Sequence, residues 1–148
     1  MPPLNSPSAP SRAARPIDAL DLAEKADDLS IAELDQLPFG MIQLDAGGRI
    51  LKFNAVESRL ASLDQQQQIG KHFFTEVAPC TKVQEFYGRF KEGVVREALD
   101  SSFQFHFAFK QAPRDVTVRL FYSRRTRSVW VMIADQVNRD EAGVVNRE

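Results

Sequence analysis

Cys80 is the only cysteine of the chain, and it has the setting of a reactive thiol. Pro79 directly before it ends any helix that the preceding residues begin, and a strong helical pattern starts at Glu85. We therefore expect the sulfur in a loop beside a helix N-terminus, where the nucleophilic thiolate is favoured. The competing interpretation is a small buried apolar residue, which is the usual role of a lone cysteine.

Glu57 is the carboxylic acid with the most informative spacing. Asn54 and Glu57 are related as the N-cap and the third residue of a helix, which predicts a short helix after Asn54. As a capping residue Glu57 would be ionised and partly exposed. The alternative is a buried neutral carboxyl that donates a hydrogen bond to an anion, because burial and a nearby negative charge both raise the pKa of Glu.

His72 and His106 are the histidines that could join Cys80 in a Cys–His nucleophile. His106 alternates with phenylalanines along a predicted strand, so it faces away from them. His72 precedes Phe73 near a helix start, where a surface or capping role is expected. An enzyme with Cys80 as nucleophile stays open as the weaker alternative. One cysteine and two histidines are too few for the usual tetrahedral zinc sites, so we expect no metal.

Length and charge exclude several classes of protein. The chain has 148 residues and a net charge of −1, from 19 basic and 20 acidic residues, which fits one domain. This balance gives no field that would attract nucleic acid or an anionic membrane, so we expect neither as a partner. No apolar run approaches the roughly 18–20 residues of a membrane-spanning helix, and no apolar signal segment is evident. A single cysteine allows no internal disulfide, so we expect a cytoplasmic protein.

Composition separates two tails from an ordered middle. Residues 1–16 hold five of the eight prolines and predict a disordered tail. Residues 137–148 are polar and charged and predict a second tail. Residues 17–37, termed the cap below, predict two short helices. The core domain is then expected over residues 38–136.

Capping and periodicity place the helices. Ser30 and Glu33 form a capping-box pattern that predicts the start of the second cap helix. A Gln-rich loop is predicted at Gln65–Gln68. The stretch Glu85–Leu99 is predicted as a helix, because its apolar residues recur at helical spacing.

Alternation and turn residues predict five strands. The last strand is apolar on both faces, which is typical of a central strand covered on both sides. The helices between residues 54 and 99 cover one face, so only the cap can cover the face that carries Phe121, Trp130 and Met132. The fold class is therefore α+β, with a five-stranded antiparallel sheet, helices on one face and the cap on the other. The predicted strands are Phe39–Asp45, Arg49–Phe53, Phe103–Lys110, Val116–Ser123 and Val129–Ala134, with turns at Ala46–Gly48, Gln111–Arg114 and Arg124–Arg127.

Five short motifs lie in order along the middle of the chain. They are FG-x-IQLD-x-x-G-x-IL at Phe39–Leu51, NA-x-E at Asn54–Glu57, IGK-x-FF at Ile69–Phe74, VAPCT at Val77–Thr81 and EFYG-x-FKEGV at Glu85–Val94. With these motifs, the stretch from Phe39 to Val131 resembles photoactive yellow protein, a family of small bacterial blue-light receptors with the PAS fold. The resemblance covers residues 31–135, and Trp130 falls where the family has its tryptophan.

The resemblance implies a chromophore and its site. In that family 4-hydroxycinnamic acid (p-coumaric acid) is held as a thioester on the cysteine that matches Cys80. The protonated glutamate that matches Glu57 donates to the buried phenolate, and light moves its proton and releases the cap. The other residues that the resemblance implies around the chromophore are Ile42, Phe53, Ala61, Leu63, Phe73, Val77, Ala78, Thr81, Phe107 and Phe109.

Three of these positions depart from the family pattern. The tyrosine that donates to the phenolate is Phe53 here, its threonine partner is Ala61, and the arginine that covers the ring is Leu63. Loss of one donor to the anion predicts a phenol with a raised pKa and a red-shifted or pH-dependent spectrum. The same departures support the main alternative, a chromophore-free PAS module for protein–protein interaction. For a receptor, a downstream signalling protein of unknown identity must read the signal, and a homodimer is left open.

Overall fold

The computed structural model of the chain describes residues 20–109 and 113–136. The tails predicted over residues 1–16 and 137–148 lie outside the described residues, as do residues 17–19 of the cap. Within the described parts of the chain, no helix combines the length and the apolar character that a bilayer crossing requires.

Five antiparallel strands form one sheet in the order β2–β1–β5–β4–β3. The doubly apolar strand β5 is central, as its sequence predicts, because only a central strand has both faces covered. In its register Trp130 pairs with Gln43 on one side and with Phe121 on the other. The strands are β1 (Gly40–Leu44), β2 (Ile50–Phe53), β3 (Asp100–Phe107), β4 (Arg114–Ser123) and β5 (Ser128–Asp135).

Short helices form the cap and the connection from β2 to β3. The capping box of Ser30 and Glu33 is present at the start of the second cap helix, as predicted. The α-helices are α1 (Leu20–Lys25), α2 (Ile31–Leu34), α3 (Ala55–Ala61), α4 (Gln65–Gln68) and α5 (Arg89–Arg96). Single 3-10 turns occur at Ala26–Asp28 and Pro79–Thr81, and π-helical turns at Phe73–Val77 and Gln84–Gly88.

The segment predicted as one helix over Glu85–Leu99 is helical from its start but ends before Leu99. The chain enters through the π-helical turn Gln84–Gly88, and α5 ends at Arg96 because Glu97 takes a left-handed conformation with φ of 55°. This end turns Leu99 back under the helix, where an added Cβ on Gly93 would come within 2.6 Å of it.

One polar stretch that was predicted as a loop, and one residue that was predicted in a turn, belong to regular elements. Gln65–Gln68 forms α4, because the side chain of Asp64 accepts a hydrogen bond from the N–H of Gln67 and caps the helix. Arg114, predicted in the turn Gln111–Arg114, is the first residue of β4. The strand β3 in turn ends at Phe107, so Phe109 lies just beyond it.

The sheet has an apolar layer on each face, as the sequence predicts. The main core lies between the sheet and the helices that follow β2. The second core lies between the sheet and the cap, where Trp130 and Met132 pack against Ala23, Ala26 and Leu34. The cap therefore covers the face that the helices after β2 leave open.

Polar contacts also attach the cap to the β4–β5 turn. The four residues of the turn Arg124–Arg127 are exposed, and Arg125 Nη2 lies 2.5 Å from Asp28 Oδ1. Asp27 is largely buried, and its carboxylate is the centre of these contacts. It accepts hydrogen bonds from Trp130 Nε1 (2.8 Å), Thr126 Oγ1 (3.1 Å) and Ser123 Oγ.

Candidate functional site

Asn54 fixes the start of α3 and so the position of Glu57. Its side-chain Oδ1 accepts from the N–H of Glu57 and from the N–H of Met41, each at 3.0 Å. Its Nδ2 donates to the carbonyl oxygens of Leu34 (2.7 Å) and Phe39 (3.2 Å). A fully buried amide with these four bonds holds α3, β1 and the cap together.

The side chain of Glu57 turns into the protein and is only 2% exposed. Its Oε2 accepts a 2.7 Å hydrogen bond from Arg114 Nη1. Its Oε1 is buried and has no hydrogen-bond partner among residues 20–109 and 113–136. This oxygen lies so close to Gly40 that an added Cβ there would come within 2.1 Å of it. The interpretation of Glu57 as an exposed capping carboxylate was therefore wrong.

Arg114 is the residue of the site that the sequence interpretation missed. Its Nε donates to Asp135 Oδ1 at 2.8 Å, and its guanidinium lies 5.7 Å from the centre of the Phe107 ring. A signal was present in the sequence. Val116 and Val118 alternate on the inward face of β4, and continuing that alternation backwards places Arg114 on the same face.

The charges of this cluster act on each other. Burial raises the pKa of Glu57 to about 7, although Arg114 opposes this shift by attraction and hydrogen bonding. Burial opposes the charge of Arg114, but the carboxylates of Glu57 and Asp135 outweigh burial and raise the pKa of its guanidinium. Arg114 therefore stays charged, and Glu57 is the group that can gain or lose a proton near neutral pH.

Cys80 lies in the 3-10 turn Pro79–Thr81 and is partly buried. Thr81 Oγ1 donates a 2.6 Å hydrogen bond to the carbonyl oxygen of Ala78, which stabilises this turn. The N–H of Ala108 donates to Cys80 Sγ at 3.4 Å. The thiol is thereby held at the end of β3, beside Ala108, the residue that follows Phe107.

The other residues implied by the resemblance gather in and around the main core. Phe107 and Phe109 stack with ring centres 5.1 Å apart and planes within 8°. Ala61 and Thr81 are buried, and neither is a member of the apolar cluster of the main core. Buried members of that cluster are Ile42, Phe53, Phe73, Ala78 and Phe107, and Leu63, Val77, Cys80 and Phe109 pack against it.

The two imidazoles are engaged away from Cys80. His106 Nδ1 lies 2.8 Å from Asp115 Oδ1 on the exposed side of β3, as the alternation predicts. His72 Nδ1 lies 3.0 Å from Thr75 Oγ1. Neither contact prepares an imidazole as the base for a cysteine nucleophile, which needs hydrogen-bond reach to the sulfur.

The residues present suit a small aromatic acid bound to the cysteine. Cys80 offers a partly accessible thiol, and Phe107 with its neighbours offers an apolar aromatic wall. Glu57 Oε1, which has no partner in the described part of the chain, offers a buried polar atom for a hydroxyl group. An apolar lining with a few polar groups is the usual character of a small-molecule site.

Comparisons with known proteins identify the fold and the family. The family model described as PAS fold matches residues 32–135. A photoactive yellow protein from Halochromatium salexigens is 42% identical over 113 residues, which are 76% of this chain and 90% of that protein. A photoactive yellow protein from Rhodothalassium salexigens is 39% identical over 113 residues, with the same shares covered.

A solved structure gives the same result. The photoactive yellow protein domain from the sensor histidine kinase Ppr from Rhodospirillum centenum superposes with a TM-score of 0.73 at 40% identity. The match covers 76% of this chain and 99% of that domain. Fold and site thus define a PAS domain. The chain belongs to the photoactive yellow protein family, and a photoreceptor-type sensory function is the class of function that its relatives support.

Proposed function

We propose that this chain is a blue-light photoreceptor that carries 4-hydroxycinnamic acid as a thioester on Cys80. One juxtaposition carries the proposal. The thiol of Cys80 lies against Ala108, and the guanidinium of Arg114, which is hydrogen-bonded to Glu57, lies 5.7 Å from the ring of the adjacent residue Phe107. A nucleophile and a protonatable acid therefore border the same aromatic segment.

Cys80 is the attachment residue in this proposal. Its sulfur forms a C–S bond with the activated acyl group, and the carrier leaves with the thiol proton. The 3-10 turn and the Ala108 hydrogen bond hold the sulfur in place for this reaction. The aromatic residues of the main core then exclude water from the bound ring.

Glu57 is the proton-carrying residue. The bound group supplies a double bond that light isomerises and a phenol that titrates. Burial favours the neutral carboxyl of Glu57, so this side chain holds a proton in the dark and releases it into the site after isomerisation. The carboxylate that remains has Arg114 at 2.7 Å, which lowers the cost of its buried charge.

The cap is the element that responds to Glu57. Glu57 lies in the first turn of α3, and the same turn is bonded to the cap. Asp35 Oδ1 accepts the N–H of Ala55 at 2.6 Å, and Asn54 Nδ2 donates to the carbonyl of Leu34. A new charge in this turn therefore acts on the bonds that hold the cap, and local release of the cap is the expected output.

Reconstitution tests the proposal. The protein is treated with the anhydride of 4-hydroxycinnamic acid, and attachment is measured by mass. Absorption spectra are then recorded before and after blue light, with Cys80→Ala as the control. We expect one added group on the natural chain, none on the control, and a visible band that bleaches and recovers. A natural chain that gains no group, or a loaded chain that light leaves unchanged, would contradict the proposal.

Limited proteolysis of the loaded protein tests the output. We expect cleavage within the cap to be faster in the light than in the dark. Equal rates would argue against cap release while leaving the photochemistry intact. A downstream signalling protein that reads the released cap, and a location in the cytoplasm, remain predictions.

A chromophore-free PAS interaction module is the second candidate. The observation in its favour is that Arg114 Nη1 already lies 2.7 Å from Glu57 Oε2, so each side chain has a partner in the protein without a ligand. Phe53 and Ala61 are also buried without any hydroxyl to offer a phenolate. Failure of attachment in the reconstitution experiment would favour this candidate.

A further inference from the structure

Arg114 is a buried cation that faces two carboxylates. Its side chain is 6% exposed, and it donates to Glu57 through Nη1 and to Asp135 through Nε. The side chain of Asp135 is 44% exposed, so water shares the solvation of that carboxylate. Glu57 is 2% exposed, so its carboxyl is the inner partner of the cation.

The inner side of this cluster has an unused hydrogen-bonding position. Glu57 Oε1 is buried without a partner among the residues described, and it packs against Gly40, where an added Cβ would come within 2.1 Å of it. A buried polar atom without a partner is costly and calls for an explanation. A hydroxyl group bound in the site would provide that partner.

The charge of Arg114 decides which form of such a hydroxyl is stable. Phe53 cannot donate a hydrogen bond, so an ionised oxygen here needs another donor. Charge-assisted hydrogen bonds are about twice as strong as neutral ones, and a guanidinium offers two parallel donors. When Glu57 is neutral, a phenolate restores the single negative charge that Arg114 otherwise receives from Glu57.

We propose that Arg114 is a chromophore-binding residue that pairs with the phenolate and supplies the stabilisation that Phe53 lacks. Glu57 takes the proton of the bound phenol: the phenol O–H bond breaks, an O–H bond forms on the carboxylate, and the total charge is unchanged. Arg114 Nη1 then donates to the phenolate oxygen. This inference rests on the proposed function, because it requires the group on Cys80.

The test is an absorbance titration of the loaded protein. The phenol pKa is compared in the natural chain, Arg114→Met and Asp135→Asn. Loss of the cation is expected to raise the phenol pKa by about 1–2 units, which is a 10- to 100-fold change in proton affinity. Asp135→Asn removes a competing carboxylate from Arg114, so it is expected to lower the phenol pKa. The opposite signs distinguish this role from a general loss of packing.

Arg119→Met is the matched control. Arg119 is also a buried arginine of β4, and its Nε lies 2.8 Å from Asp100 Oδ1. Its replacement is expected to destabilise the protein without moving the phenol pKa. Because Asp135 is half exposed, Asp135→Asn is expected to fold even if Arg114→Met does not. The phenol pKa of Asp135→Asn then tests whether Arg114 pairs with the phenolate.

The outcomes separate this inference from the proposed function. If the natural chain takes up no group, the proposed function fails and Arg114 has no phenolate to bind. If the group attaches and Asp135→Asn leaves the phenol pKa unchanged, the role of Arg114 is wrong while the photoreceptor function stands. An equal shift of the phenol pKa in Arg114→Met and in Arg119→Met would also overturn the proposed role of Arg114.

Discussion

Trp130 Nε1 donates a 2.8 Å hydrogen bond to Asp27 Oδ1 and thereby joins the central strand of the sheet to the cap. The two residues are 103 positions apart in the sequence. Trp130 is fully buried and is the only tryptophan of the chain. Its fluorescence therefore reports on the docking of the cap.

Asp27→Ala is expected to loosen the cap. The change leaves the indole N–H and two hydroxyl groups without their acceptor, and one unsatisfied buried donor costs about 1–3 kcal/mol. Trp130 fluorescence should become more accessible to acrylamide, and proteolysis of the cap should be faster. Asp28→Ala is the control, because Asp28 is exposed and should have a smaller effect. Equal quenching in the two variants would contradict a specific role for Asp27.

Asn54→Ala is expected to separate α3 from the cap. The variant removes a helix N-cap and leaves the N–H of Met41 and the carbonyl of Leu34 without their side-chain partner. Loss of the N-cap alone costs about 1 kcal/mol, and the exposed N-cap of α4 offers a matched comparison in Asp64→Ala. Urea unfolding should show a clearly larger loss of stability for Asn54→Ala, together with faster hydrogen exchange in the cap. Losses of the same size would mean that Asn54 only caps its own helix.

The stability of the chromophore-free protein is expected to fall as pH rises through neutrality. Burial raises the pKa of Glu57 to about 7 from an ordinary 4.5, so the folded protein holds this proton more tightly than the unfolded chain. The stabilisation is fully present below pH 4.5 and is lost as pH rises through about 7. A shift of this size corresponds to about 3 kcal/mol.

Urea titrations at pH 5, 6, 7 and 8 measure this effect, with Glu57→Gln as the control that cannot ionise. The unfolding free energy of the natural chain should fall relative to that of Glu57→Gln as pH rises from 5 to 8. The pKa of Asp28 is lowered by its hydrogen bond to Arg125, so this carboxylate stays ionised throughout the range. A difference that does not vary with pH would show that Glu57 does not titrate there.

Phe53→Tyr is expected to restore a donor to the phenolate of the loaded protein. The added hydroxyl should lower the phenol pKa by about 1–2 units, since one hydrogen bond to a charged group is worth about 1.5–3 kcal/mol. In the protein without the chromophore the buried hydroxyl lacks this partner, so the same change should reduce stability. Absorbance titration and urea unfolding measure the two effects. If the phenol of the loaded natural chain stays fully ionised down to strongly acid pH, Phe53 does not leave the phenolate short of a donor.

Local patterns in the sequence predicted the elements and their arrangement in layers. The capping box of Ser30 and Glu33, the turn at Gly48 with its φ of 97° and the doubly apolar strand β5 all stand as predicted. Each depends on residues within a few positions of each other, where capping, backbone sterics and alternation act. The motif around Cys80 indicated the protein family, which the comparisons confirm.

The sequence by itself thus determined the five-stranded sheet, most of the helices and the layers on its two faces, and it marked Cys80 as the candidate thiol. Only the tertiary structure brought Arg114 to Glu57, across 57 positions, and Asp27 to Trp130. The physical reason is that these contacts depend on the register of β4 and β5 and on how the cap lies across the sheet. The alternation of β4 predicts which face of the sheet Arg114 lies on. That Glu57 is its partner there depends on how α3 packs against the sheet, and no local pattern predicts this packing.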